Sequence, residues 1–293
     1  MNDKVSFYKY QNIRLERASF SLPPVLIGTI FYEGETILNR ETPENFDKKK
    51  AKKRIDLQKS LADKYNIPDM IEISANSPKA MKAYLDFYFA NYDPPIILGG
   101  NLEARIAGLE YIKENGYKPG DYVYNSITNL KNTQEIEVLK EFRVNSAVLL
   151  ILGSDRMTSS QKFSYITKKR SLYNLNLIDS LNKLGIEKIW IDGGVIGLES
   201  LVHNLELHQL VSSSLQLPVG TAPNNFLFKY ASPRLNRKFY TRYRRASIMF
   251  IATLYSNFIF YGAIEDAKES FASAFQALEF NKIKKKNNIK LMD

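Results

Sequence analysis

Eight short apolar runs punctuate the chain, each closed by small or polar residues. They are VLIGTIF from Val25, MIEIS from Met70, PIILGG from Pro95, YVYNSI from Tyr122, AVLLILG from Ala147, KIWIDGG from Lys188, LPVGTAP from Leu217 and NFIFYG from Asn257. Apolar runs of this length, without strict alternation, mark strands buried on both faces, as in a parallel sheet. The second to fifth begin roughly 26 residues apart, room for one strand, one helix and two short loops. The other gaps are longer.

Helical spacing fills the intervals. Phe46 to Tyr65 is rich in Lys, Ala, Leu and Asp, with Asn45 as its expected N-cap. Ser77-Pro78 ahead of Lys79 to Phe89 reads as an N-cap followed by proline at the first helical position. Glu135 and Glu137, after Thr133, suit the positive end of a helix. Gly116, Gly120 and Gly185 stand where helices should stop. Strands alternating with helices predict one domain over 1–293, a single (β/α)8 TIM barrel. An N-terminal extension, 1–24, and a basic C-terminal tail, 281–293, flank it. A doubly wound open sheet is the alternative, but no GxGxxG follows the first strand.

Composition narrows the chemistry. The 293 residues carry 41 Lys+Arg against 31 Asp+Glu, a net charge of +10. Cysteine is absent, which excludes disulfides, Cys-ligated zinc, iron–sulfur clusters and a thiol nucleophile. His203 and His208 are the only histidines, five apart and so not on one helix face; they read as structural. The apolar run Ala147 to Leu152 is far too short to span a bilayer, and MNDKVSFYKYQ has no apolar signal core. A cytoplasmic protein is expected.

In a barrel of this kind the site lies at the C-terminal ends of the strands. Those ends hold Tyr32-Glu33, Ser74 to Asn76, Gly99 to Asn101, Asn125-Ser126, Gly153 to Asp155, Asp192 to Gly194, Gly220 to Asn225 and Tyr261-Gly262. The rim is rich in Asn, Gly and Ser, carries few acids and offers no side-chain metal site. It suits a planar, hydrogen-bonding heterocycle: an Asn amide both donates and accepts, and a carboxylate takes two N–H bonds from a guanidine-like edge. The structural readings are a turn-satisfying Asn125 and an Asx turn at Asp192. Arg234 to Arg245, with six basic residues and three aromatics, reads as a solvated helix face or a nucleic-acid surface. Nucleic acid is the weaker expectation. Lys282, Lys284, Lys285 and Lys286 read as a frayed tail.

Taken together, VLIGTIFYEGETI from Val25, FDKKKA from Phe46, EARIAG from Glu103, YNSI from Tyr124, IDGG from Ile191, LPVGTAPNN from Leu217 and FIFYGAIEDA from Phe258 identify a resemblance. In order and spacing the chain resembles the H polypeptide of tetrahydromethanopterin S-methyltransferase and the related methyl-tetrahydropterin:corrinoid methyltransferases.

The resemblance implies a pterin-binding barrel, usually dimeric. Such a protein moves the N5-methyl group of a reduced pterin (tetrahydromethanopterin or tetrahydrofolate) to or from the cobalt of a corrinoid held by a partner protein. It places Asn125 beside N5 as the catalytic residue and Asp192 on the aminopyrimidine edge. Ser126, Asn101, Asn225 and Gly220 would complete the pocket. The rim shows no strong side-chain acid, which is compatible with chemistry carried mainly by the corrinoid. One position departs from the family pattern. Its third strand ends in Ile-Asp-Ser, and counting back from EARIAG puts Leu98 at the Asp. Losing a charge-assisted hydrogen bond of about 1.5–3 kcal/mol would weaken pterin binding ten- to hundredfold. The alternative reading is therefore a binding or scaffolding protein with lost or altered pterin activity.

Overall fold

Each of the eight apolar runs forms a strand, because none has a polar face that could meet water. The computed structural model describes residues 6–128, 130, 132–153, 156–169, 175–226, 237–287 and 289. The barrel strands are β3 (Val25–Ile30), β4 (Asp69–Ala75), β5 (Ile96–Gly100), β6 (Tyr122–Ile127), β7 (Ser146–Leu150), β8 (Lys188–Asp192), β9 (Val219–Thr221) and β10 (Phe258–Ala263). They pair in parallel in chain order, and β10 pairs with β3 to close the ring. The expected barrel is present.

Helices cover the outside: α1 (Lys48–Tyr65), α2 (Pro78–Phe89), α3 (Leu102–Glu114), α4 (Thr133–Glu141), α5 (Ser159–Thr167), α6 (Leu177–Lys183), α7 (Leu198–Leu215), α8 (Arg237–Leu254) and α9 (Ala267–Lys286). The cap of α1 is Asp47, which accepts from Lys50 N, and not Asn45. Ser77 caps α2 with Pro78 at its start, as expected. Gly116 and Gly185 follow the ends of α3 and α6 with φ of 74° and 92°, the left-handed conformation that glycine adopts freely. Lys282 to Lys286 continue α9 instead of fraying. No helix among the described residues is long and apolar enough to cross a membrane.

Side chains alternate across each strand, so the barrel has two separate cores. One lies between strands and helices. The other fills the lumen with Val25, Ile27, Met70, Ile97, Val123, Val148, Trp190, Phe258 and Phe260. The N-terminal segment, expected only as an extension, folds as a hairpin of β1 (Phe7–Tyr10) and β2 (Ile13–Glu16). Its Tyr8, Tyr10, Ile13 and Leu15 join the lumen core. The Tyr10 hydroxyl accepts from Trp190 Nε1 at 2.7 Å and lies 2.5 Å from Ser146 Oγ. Tyr8 reaches the Glu187 carbonyl, and Lys188 Nζ reaches the Lys9 carbonyl. Ser146, Glu187 and Lys188 are at strand starts and Trp190 is two residues into β8, so the hairpin stoppers the N-terminal end of the barrel.

Candidate functional site

Alternation also builds the site. Two residues beyond each lumen core position lies the next inward position, closer to the C-terminal rim. From Ile27, Met70, Val123, Val148 and Trp190 this step reaches Thr29, Glu72, Asn125, Leu150 and Asp192. These five line one cavity of about 370 Å³, with Ser126, Leu152, Gly194, Val195, Ile196, Ala222, Phe260 and Gly262. That is the size range of small-ligand pockets. No Lys, Arg or His is among the described lining residues.

Asp192 is buried, and its Oδ1 accepts from Gly194 N at 2.8 Å. Gly194 has φ of 67° and packs against the Ile151 carbonyl, where a side chain would collide. The Asx turn is therefore real, and it leaves Asp192 on the cavity wall. Burial pushes the Asp192 carboxyl up to about 6 and the Glu72 charge adds to this, while the Gly194 N–H and the Lys162 ammonium oppose it. Lys162 itself is buried, donating to the Gly194 carbonyl at 3.2 Å and Asn204 Oδ1 at 3.3 Å.

Glu72 is not among the residues that the sequence suggests. Its Oε2 accepts from Thr29 Oγ1 at 2.5 Å and its Oε1 from Asn125 Nδ2 at 2.6 Å. Both donors are neutral, and burial holds its carboxyl above the usual range. The signal that could have found it is the acid in MIEIS, one charge inside an otherwise buried strand. β4 and β8 stand four places apart in a ring of eight, so Glu72 and Asp192 face each other from opposite walls.

Leu98 has a different place from the one expected. It faces out of the barrel, against Gly108 of α3, in the core between strands and helices. The inward position at this height of β5 is Gly99, and a side chain there would run into the Glu72 carboxylate. The space beside the third barrel strand is therefore filled by an acid from the second.

The remaining candidates separate. Asn125 and Ser126 line the cavity. Asn101 instead caps α3, accepting from Ala104 N at 2.9 Å and donating to the Asn76 carbonyl at 2.8 Å. Gly220 packs against Phe258 in the lumen, and its carbonyl lies 3.1 Å from His208 Nε2. Asn225 sits in a short 3-10 turn, Pro223–Phe226, with its side chain outside the described residues. His208 is structural as expected: Nδ1 lies 2.6 Å from the Tyr255 carbonyl, and burial lowers its ring to about 4. Ser154, Asp155 and residues 234–236 lie outside the described residues, as do the side chains of 237–241 and 244. Within that segment Arg245 is buried against Asp266 at 2.7 Å, and Arg242 pairs with Glu269 at 3.3 Å, so these two serve α8–α9 packing. No group of acids or histidines among the described residues could hold a metal ion.

The sequence motifs turn out to be one another's partners. Arg105 of EARIAG donates to the Ser126 carbonyl of YNSI at 2.7 Å and to Glu135 at 3.1 Å, with its guanidinium 4.7 Å from the Tyr124 ring. Tyr124 donates to the same Glu135 oxygen at 2.7 Å. Asn224 of APNN donates to the Tyr261 carbonyl of FIFYG at 2.7 Å. The motifs hold the strand ends that carry Asn125 and the opposite rim.

The barrel resembles solved dihydropteroate synthases. The Yersinia pestis enzyme with a pterine–sulfa conjugate superposes with a TM-score of 0.62 at 12% identity, covering 94% of this chain and 100% of that one. The Xanthomonas albilineans enzyme with 7,8-dihydropteroate gives 0.54 at 12% identity, covering 90% and 94%. In sequence, the tetrahydromethanopterin S-methyltransferase H polypeptide of Methanopyrus kandleri is 31% identical over 69% of this chain, a match spanning 64% of its own length. The Methanothermobacter thermautotrophicus H polypeptide is 27% identical over 87% of this chain and 84% of its own. That of Methanothermobacter marburgensis is likewise 27% identical over 87% of this chain and 84% of its own. The family model for the tetrahydromethanopterin S-methyltransferase MtrH subunit matches residues 17–291, and the chain belongs to that family.

Proposed function

We propose that the cavity binds an N5-methyl tetrahydropterin and that the protein exchanges its methyl group with the cobalt of a corrinoid carried by a partner protein. The observation that carries this is the pair of buried carboxyls, Glu72 and Asp192, on opposite walls of a cavity with no cation among its described lining residues. Such walls favour a flat ligand with N–H donors at one end and a ring nitrogen that can take a proton at the other. A reduced pterin has an amino-pyrimidine edge at one end and ring nitrogens at the other. Asp192 takes the amino-pyrimidine edge through paired N–H bonds. Asn125 then stands toward N5, and Phe260, Ala222, Leu150 and Leu152 supply apolar contact for the ring faces.

Family membership and the names of the relatives support methyl transfer and a multi-protein setting. Those names favour tetrahydromethanopterin over tetrahydrofolate. The corrinoid supplies the nucleophile, so the chain's own task is to bind, orient and exclude water. A homodimer working in the cytoplasm completes the proposal.

The test is calorimetric titration of the purified protein with methyl-tetrahydromethanopterin and, separately, with methyl-tetrahydrofolate. Micromolar binding of the first is expected. Failure of a folded protein to bind either pterin would overturn the reading and leave a barrel with a scaffolding role.

A further inference from the structure

Among the described lining residues, Glu72 is the one acid on the Asn125 side of the cavity, and no step so far uses it. Resting on the reading above, we propose that Glu72 is the acid that supplies the proton to N5 of the bound pterin. The geometry is direct. Asn125 Nδ2 lies 2.6 Å from Glu72 Oε1, and both residues line the cavity. A ring nitrogen set beside Asn125 is therefore set beside Glu72. Gly99 supplies the room in which this carboxyl sits, since any side chain there would displace it.

The chemistry needs such a group. A methylated ring nitrogen is a poor leaving group unless it is protonated. The Glu72 O–H bond breaks and an N5–H bond forms. The N5–CH3 bond then breaks with its electron pair staying on N5, and the methyl passes to the reduced corrinoid. Glu72 is left as a carboxylate, stabilised by the Asn125 amide and the Thr29 hydroxyl, and regains its proton from water at the cavity mouth. In the opposite direction the carboxylate removes the N5 proton.

The surroundings fit a proton carrier. Thr29 from β3 and Asn125 from β6 are neutral, and β5 contributes Gly99 and no charge. Among the described residues, the charged group facing Glu72 is Asp192 from β8, with the Lys162 ammonium close to Asp192. Burial favours the protonated acid, while the Thr29 and Asn125 hydrogen bonds favour the carboxylate that it leaves. The Thr29 hydroxyl can accept from the acid form and donate to the carboxylate. Asp192 on the far wall holds the other end of the ring and does not compete for this role.

The experiment compares wild type with Glu72→Gln and Glu72→Asp in single-turnover methyl transfer from methyl-tetrahydromethanopterin to cob(I)alamin, across pH. Pterin affinity is measured in parallel by calorimetry. Gln keeps the size and both neighbours but cannot ionise. For Glu72→Gln the rate should fall by about 10²–10³-fold, with affinity held within about threefold. The loss of wild-type rate as pH rises should vanish. Glu72→Asp should keep that pH dependence at a lower rate. An unchanged rate and pH profile in Glu72→Gln would overturn the assignment. An affinity loss as large as the rate loss would also overturn it, making Glu72 a binding group only. A wild-type protein that neither binds nor demethylates the pterin would instead remove the reading on which the assignment rests.

Discussion

Leu98 rests against the bare Cα of Gly108: a methyl group added at Gly108 would stand 2.5 Å from Leu98 Cδ1. The contact joins β5 to α3 and sets how closely the EARIAG helix lies on the barrel. Gly108→Ala should therefore cost about 1–3 kcal/mol by overpacking, despite alanine's better helix propensity. Leu98→Ala should cost about 2–5 kcal/mol as a cavity. The double variant should be less destabilised than the sum, by at least about 0.5 kcal/mol, in urea melts. Additive losses would show that the two positions do not touch.

The same contact decides what an acid at position 98 would do. Leu98→Asp would place a carboxylate in the apolar layer between strand and helix, not in the cavity. The expected result is a large loss of stability and no gain in pterin affinity. Tighter binding by a folded Leu98→Asp protein would show that β5 has a different register.

Asp192→Asn should fold normally and lose ten- to hundredfold in pterin affinity, since a neutral amide replaces a charge-assisted pair of bonds. Calorimetry and circular dichroism check both halves. Equal affinity would remove Asp192 from the pterin edge.

Asp192 also makes a pH prediction. Its carboxyl is raised from about 3.8 to about 6 in the folded chain, so between those values the folded state binds more protons than the unfolded one. Stability from this group is full below pH 4 and falls as pH rises through 6, by on the order of 2–3 kcal/mol. Glu72, also raised, adds a loss of the same sign. Asp192→Asn should flatten the difference between urea melts at pH 4.5 and pH 7. A variant that kept the full slope would place the titration elsewhere.

At the other end of the barrel, Tyr10→Phe removes the hydroxyl shared by Trp190 Nε1 and Ser146. An indole N–H left unpaired in the core costs about 1–3 kcal/mol. The expected change is a lower melting temperature with pterin affinity unaltered, because the cavity lies beyond the intervening lumen residues. A selective loss of affinity would connect the two ends.

All eight barrel strands are legible in the sequence because each is a nearly continuous apolar run, and inward or outward facing does not change that signal. For the same reason the facing of Leu98 is not legible. In a strand buried on both sides, nothing local says whether a leucine meets the lumen or a helix; only the packing against Gly108 does. Glu72 is hidden differently. Within MIEIS it counts as part of a strand, and its partner Asn125 lies 53 residues away. Asn101 is drawn to the site by its position at a strand end, but the start of α3 claims its side chain. The hairpin goes unread because four-residue strands with exposed alternate positions carry little periodic signal.

The stopper formed by the N-terminal hairpin has a consequence for the order of events. Among the described residues, a barrel stoppered at its floor opens at the rim above Glu72 and Asp192. Whatever settles between those two acids must leave by the way it entered. On the function proposed above, a partner protein that exchanges a methyl group with it would approach through that doorway too. While such a visitor is seated, the smaller ligand cannot depart. On that proposal, arrival of the small molecule first and its release last would follow from architecture, not from relative affinity.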